Sequence, residues 1–114
     1  MIGRIGKVAI LGSGVMGSGI AAHLANIGIP TLLLDIVPRD LTDEEKQRGL
    51  TLQDMQVRNR LAQNSIQKLL KQKPAPLSEK SHVNLIEAGN MEDDMKRLAE
   101  VDWIIEVVVE NLEI

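Results

Sequence analysis

The chain has 114 residues, enough for one small domain, and its 44% hydrophobic content is ordinary for a globular core. With 13 basic and 16 acidic residues the net charge is −3, so nothing pulls the molecule as a whole toward nucleic acid or an anionic membrane surface. There is no cysteine, which removes disulfides and thiolate metal sites, and one aromatic residue, Trp103, which makes the core aliphatic.

A buried strand is predicted at 7–11, with glycines at Gly12, Gly14, Gly17 and Gly19 directly after it. A helix follows at about 15–26, and Gly28 stands where a helix-terminating glycine belongs. "TLLLD", residues 31–35, is a second buried strand. The stretch 36–50 carries a proline, several acids and a glycine and reads as a loop. Leu52, Met55, Ala62, Ile66 and Leu69 then recur at helical spacing, predicting one long helix over 51–73 that Pro74 and Pro76 stop. A third strand is expected at 83–87, a short helix at 91–99 and a fourth strand at 102–109. Alternating strands and helices argue for an α/β fold, with a parallel sheet of about four strands and right-handed crossovers. The strands are nearly continuous runs of Val, Ile and Leu, as expected when helices cover both faces. No apolar run approaches the ~18 residues of a membrane span. The strand pattern starts too early to leave room for a leader, and a cytoplasmic location is expected.

The glycines point to phosphate binding. Gly12 allows a tight turn out of the strand, Gly14 lets a pyrophosphate approach the backbone, and Gly17 lets the helix pack closely on the strand. The free N–H groups and the positive end of the helix dipole then face the anion. Asp35 ends the second strand roughly 20 residues on from the loop, where an acid binds the adenosine ribose. Two alternatives stand beside this reading. A tight turn alone does not need three spaced glycines plus an acid, and the glycine loop of a methyltransferase usually lacks the third glycine.

"GSGVMGSGIAAHLANIG", "LLLD" and "DWIIEVVVENLEI" together resemble the amino-terminal domain of the 3-hydroxyacyl-CoA dehydrogenases. Met16 and the "VEN" at 109–111 separate that family from other Rossmann-type sheets, and the long loop after Asp35 looks like the large multidomain bacterial members that also carry enoyl-CoA hydratase. The resemblance implies an incomplete doubly wound domain over 1–114, with NAD as cofactor. Gly12, Gly14, Val15, Met16 and Gly17 would form the pyrophosphate loop and Asp35 would hold the ribose. Val107, Val108 and Val109 would line the cleft, and Glu110 would lie near the nicotinamide ribose. Ser65 and Lys68 fall where the family contacts coenzyme A, so acyl-CoA is the implied partner, with neither nucleic acid nor membrane. The family's catalytic histidine, glutamate, serine and asparagine all follow the "VEN" segment. No catalytic residue is therefore expected here, and the chain by itself is expected to be inactive. The implied reaction of the parent is oxidation of 3-hydroxyacyl-CoA to 3-ketoacyl-CoA in fatty-acid β-oxidation. A non-catalytic NAD-sensing module is the alternative of a different class. The fourth strand, lacking a fifth beside it, is an edge through which the chain is expected to self-associate.

Other polar residues have plainer expected roles. His23 is read as a helix-packing or surface residue and His82 as a solvated loop residue. Lys68, Lys71 and Lys73 suit a helix C-terminus, and Asp93 and Asp94 a helix N-terminus. Glu106 either faces the cleft or sits on a sheet edge, Trp103 is expected in the core, and two histidines far apart in sequence match no metal-ligand spacing.

Overall fold

Hydrophobic strands that alternate with helices bury both faces only if they lie side by side and parallel, and this arrangement is what the chain adopts. The computed structural model describes residues 6–72 and 77–107. Strands β1 (Val8–Leu11), β2 (Thr31–Asp35), β3 (Ile86–Asn90) and β4 (Trp103–Glu106) form one parallel sheet in the order β3-β2-β1-β4. The chain thus steps outward from β1 to β3 and returns to the other side of β1. That reversal opens a crevice beyond the carboxyl end of β1, the place where sheets of this kind receive ligands.

The period-2 geometry of the strands divides the core into two layers. Val8, Ile10 and Leu33 point to one face, where they meet Ala21, Ala22 and Ala25 of α1 (Val15–Asn26) and Ala62, Ile66 and Leu69 of α4 (Arg60–Lys71). Ala9, Leu11, Leu32 and Leu34 point to the other and pack against Met91, Leu98 and Val101. Leu32, Leu33 and Leu34 are fully buried, each stabilising the fold by about 1.5–3 kcal/mol. The small residues along α1 bring its axis close to the sheet.

Several boundaries differ from the sequence-based expectation. The 36–50 stretch is not all loop: Asp43–Gln47 forms a short helix, α2, closed by a capping box. Thr42 Oγ1 accepts from Glu45 N at 3.1 Å, and Glu45 Oε1 accepts from Thr42 N at 2.9 Å. Glu45 is buried because Arg60 pairs with it, while Arg60 also donates to the Asp40 carbonyl at 3.1 Å. The helix expected over 51–73 starts only at α3 (Met55–Arg58) and is interrupted at Asn59 before α4. At the interruption Asn59 Oδ1 accepts from the fully buried Asn90 at 2.7 Å. Met55, part of the expected stripe, is exposed, and Val57 is buried instead.

The third strand lies at 86–90 rather than 83–87, and Lys80–Leu85 form a 3₁₀ turn. Gly89 pairs with Leu34 of β2, and a Cβ there would come within 2.6 Å of Asp94 Oδ2 and 2.7 Å of Leu34 Cδ2, so a larger residue would have to move both side chains. The expected helix over 91–99 is reduced to a 3₁₀ turn, Met95–Glu100. Trp103 is not in the core but 56% exposed, because β4 pairs only with β1 among the described residues. Glu106, also exposed, belongs to that same edge. His82 is half-buried, its Nδ1 2.9 Å from Asn26 Oδ1, so it ties the 3₁₀ turn to α1 rather than standing in solvent. His23 lies exposed on α1, as expected.

Two ion pairs hold the β3 side together. Arg97 donates to Glu87 at 2.6 Å, and Arg58 donates to Asp93 at 2.6 and 3.1 Å. Asp93 is therefore a tether to α3, not a helix-dipole partner. The hydrogen bond from Arg97 holds the Glu87 carboxyl below its ordinary value; that from Arg58, aided by Asn90, does the same for Asp93. Each carboxyl then binds a proton less readily folded than unfolded. Its stabilisation is complete above the unfolded value near pH 4 and is lost as pH falls through the lower folded value. Urea titrations between about pH 3 and about pH 6 should show Asp93→Asn losing less stability on acidification than the parent; parallel curves would refute this role for the pair.

Candidate functional site

The loop between β1 and α1 sits over the carboxyl ends of three strands. Gly12 N donates to the Leu34 carbonyl, and Val107 N donates to the Leu11 carbonyl, both at 2.8 Å. Gly12 has φ +116°, and a Cβ there would lie 2.3 Å from the Val107 carbonyl oxygen. A Cβ on Gly17 would fall 1.8 Å from the Gly12 carbonyl oxygen. These two glycines are required by the protein's own packing.

Gly14 is different. It is exposed, and a Cβ there would meet nothing within 4 Å. As the N-cap of α1 it offers no side chain to the first turn, and the first intrahelical bond is Ser18 N to the Gly14 carbonyl at 2.9 Å. The preceding N–H groups at the helix start lack intrahelical acceptors. Val15 and Met16 are 90% and 68% exposed. An uncapped helix start beside a bare, open glycine forms a cradle for an anion, and it fits the pyrophosphate of a dinucleotide.

Asp35 lies at the end of β2 with its carboxylate already oriented. Ser13 N donates to Oδ2 at 2.8 Å, the Ser13 hydroxyl donates to the same oxygen, and Ile36 N donates to Oδ1 at 2.7 Å. A carboxylate has about four acceptor positions, so capacity remains for a ribose hydroxyl. Ser13 is buried and central to this geometry, yet sequence reasoning passed over it. It occupies a variable position of the glycine motif, and nothing in the spacing marks it.

Ser65, on α4, donates its hydroxyl to the Ser13 carbonyl. A cleft of about 580 Å³ opens between the glycine loop and α4, lined in part by Gly14, Val15, Ser65, Lys68 and Lys71. The fold therefore brings Gly12, Gly14, Val15, Met16, Gly17, Asp35 and Val107 to one end of the sheet, with Ser65 and Lys68 across the cleft. Lys68 and Lys71 also occupy the last turn of α4, so the dipole role expected of them coexists with the cleft position. Val108, Val109 and Glu110 lie outside the described residues, as does Lys73.

The two kinds of glycine are separable by mutation. Gly17→Ala should cost about 1–3 kcal/mol through overpacking, whereas Gly14→Ala should cost about 1 kcal/mol or less, the gap between glycine and alanine as N-caps. Denaturant midpoints in the reverse order would contradict the packing assigned to Gly17.

Comparison with known proteins gives this geometry a family. The sequence model described as "3-hydroxyacyl-CoA dehydrogenase, NAD binding domain" matches residues 7–114. A Bacillus subtilis protein named "Probable 3-hydroxyacyl-CoA dehydrogenase" is 66% identical over 111 residues, 97% of this chain and 14% of its own length. A Rickettsia felis protein, named as a fatty acid oxidation complex trifunctional enzyme, is 42% identical over 114 residues, covering all of this chain and 14% of its own. The chain thus spans about one seventh of these two relatives. Among solved structures, 3-hydroxybutyryl-CoA dehydrogenase from Escherichia coli K12 superposes with a TM-score of 0.54 at 26% identity, over 96% of this chain and 20% of that one. With the glycine cradle, the acid-tipped second strand and the family model all covering the same residues, the chain belongs to the NAD-binding domain family of the 3-hydroxyacyl-CoA dehydrogenases.

Proposed function

We propose that the chain holds NAD for an enzyme that oxidises 3-hydroxyacyl-CoA to 3-ketoacyl-CoA in fatty-acid β-oxidation, acting in the cytoplasm. The observation that carries the reading is the exposed Gly14 at the uncapped start of α1. Its neighbours Gly12 and Gly17 are explained by packing; Gly14 has no such explanation and leaves room for a ligand. The relatives' names supply the reaction class. No helix among the described residues is long and apolar enough to cross a membrane.

In this proposal Gly12, Gly14, Val15, Met16 and Gly17 form the pyrophosphate loop: the Gly12 N–H is spent on the Leu34 carbonyl and shapes the turn, and the N–H groups at the start of α1 that lack intrahelical acceptors meet the phosphates. Asp35, oriented by Ser13, accepts from the adenosine ribose. Val107 packs against Gly12 at the mouth of the loop; Val108, Val109 and Glu110, which the family resemblance assigns to the cofactor cleft, lie outside the described residues. Lys68 and Ser65 face the acyl-CoA across the cleft. NAD, when bound, supplies the hydride acceptor; this domain's residues bind and orient it.

Asp35 should select NAD over NADP, since its carboxylate repels a 2′-phosphate and the next three residues, Ile36 to Pro38, offer no cation. Calorimetric titration should find NAD bound about tenfold or more tighter than NADP, and Asp35→Ala should narrow the gap. Equal or tighter NADP binding by the parent would overturn the assignment.

Trp103 and Ile104, 56% and 44% exposed on β4, also support the proposal that this chain self-associates along that edge. Light scattering across a dilution series should show mass rising with concentration, and introducing Ile104→Lys should suppress the rise. A monomer throughout the series would rule the edge out as a contact.

A further inference from the structure

Ser13 is gripped from both sides. Its N–H and hydroxyl are committed to Asp35, and its carbonyl accepts from Ser65 on α4. The residue is 2% exposed, so water does not substitute for these partners. In a planar trans peptide the carbonyl and the amide of one unit point in opposite directions. The Ser65 bond therefore sets the orientation of the whole 13–14 peptide: the Ser13 oxygen is drawn to α4, and the Gly14 N–H is turned away from it. Glycine imposes little steric restraint of its own on that peptide. Left unpinned, the unit could rotate and present an electronegative carbonyl where a phosphate is to sit.

We propose that Ser65 is a positioning residue of the dinucleotide loop. Its hydroxyl holds the 13–14 peptide in the orientation that keeps the carbonyl off the phosphates and the Gly14 amide available, before any ligand arrives. Ser65 reaches across the cleft from a different element, so α4 serves as a brace for the loop as well as a cleft wall. This role rests on the proposed assignment of the glycine loop to the NAD pyrophosphate, and it is independent of whether Ser65 also touches acyl-CoA.

The test measures NAD binding alone, by isothermal titration calorimetry with no acyl-CoA present, for the parent, Ser65→Ala and Ser65→Thr. Thermal midpoints without ligand identify the folded variants. Loss of one neutral hydrogen bond should weaken NAD binding about three- to tenfold in Ser65→Ala. Ser65→Thr, which keeps a hydroxyl, should stay within about twofold of the parent. Unchanged affinity in Ser65→Ala overturns the proposal, as does an equal loss in Ser65→Thr, since the hydroxyl is then not the agent. A parent that takes up no NAD refutes the functional reading itself, and this one with it.

Discussion

The structure depends on how closely α1 approaches the end of β1. A methyl group at position 17 would stand 1.8 Å from the Gly12 carbonyl, well inside any van der Waals contact. This approach lets the helix begin directly over the strand end, so its unpaired amides face the crevice that the strand order opens. It also sets the depth at which Ala21, Ala22 and Ala25 pack on the sheet. A larger side chain at 17 would lift the helix, loosen that alanine contact and misdirect the amides together. Stability and ligand geometry are thus coupled through one atom that is absent.

The second support is polar. Asn90, fully buried at the tip of β3, accepts from the amides of Glu92 and Asp93 at 3.0 and 2.7 Å and donates to Asn59 and Asp93. Asp93 in turn holds Arg58 of α3. A buried amide with every capacity used defines a single arrangement, because each displaced partner would leave a costly unpaired group. Here that arrangement sets where α4 begins, and α4 carries Ser65, Lys68 and Lys71 to the cleft. In register, Asn90 stands opposite Asp35, and Met91 N donates to the Asp35 carbonyl at 2.8 Å, so the network and the ribose acid share a strand pair.

Much of this was legible in the residues. Val8–Leu11 is a continuous aliphatic run that Gly12 ends, Thr31–Asp35 holds three consecutive leucines after Pro30, and both strands lie where the pattern puts them. The glycine spacing pointed to the right conformations because sterics at Gly12 and Gly17 admit little else. The α2 helix was also written in the sequence, as Thr42 followed three residues later by Glu45, but the charge density around it masked the capping box. The third strand was legible in its existence but not in its place, expected at 83–87 and found at 86–90. The glycine and asparagine of "IEAGN" disfavour a strand locally, and the pairing with β2 and the buried partners of Asn90 that extend it to residue 90 exist only in three dimensions. The same holds for Ser13, whose importance comes from two residues distant in sequence.

The lone aromatic residue has a spectroscopic consequence. With no tyrosine or phenylalanine and one tryptophan, all the intrinsic fluorescence of this chain comes from Trp103, and that indole lies 56% exposed on a sheet edge. The aliphatic core, where most of the folding energy resides, is optically silent in the near ultraviolet. Emission from this protein therefore reports the neighbourhood of one strand, and covering that edge shifts the signal.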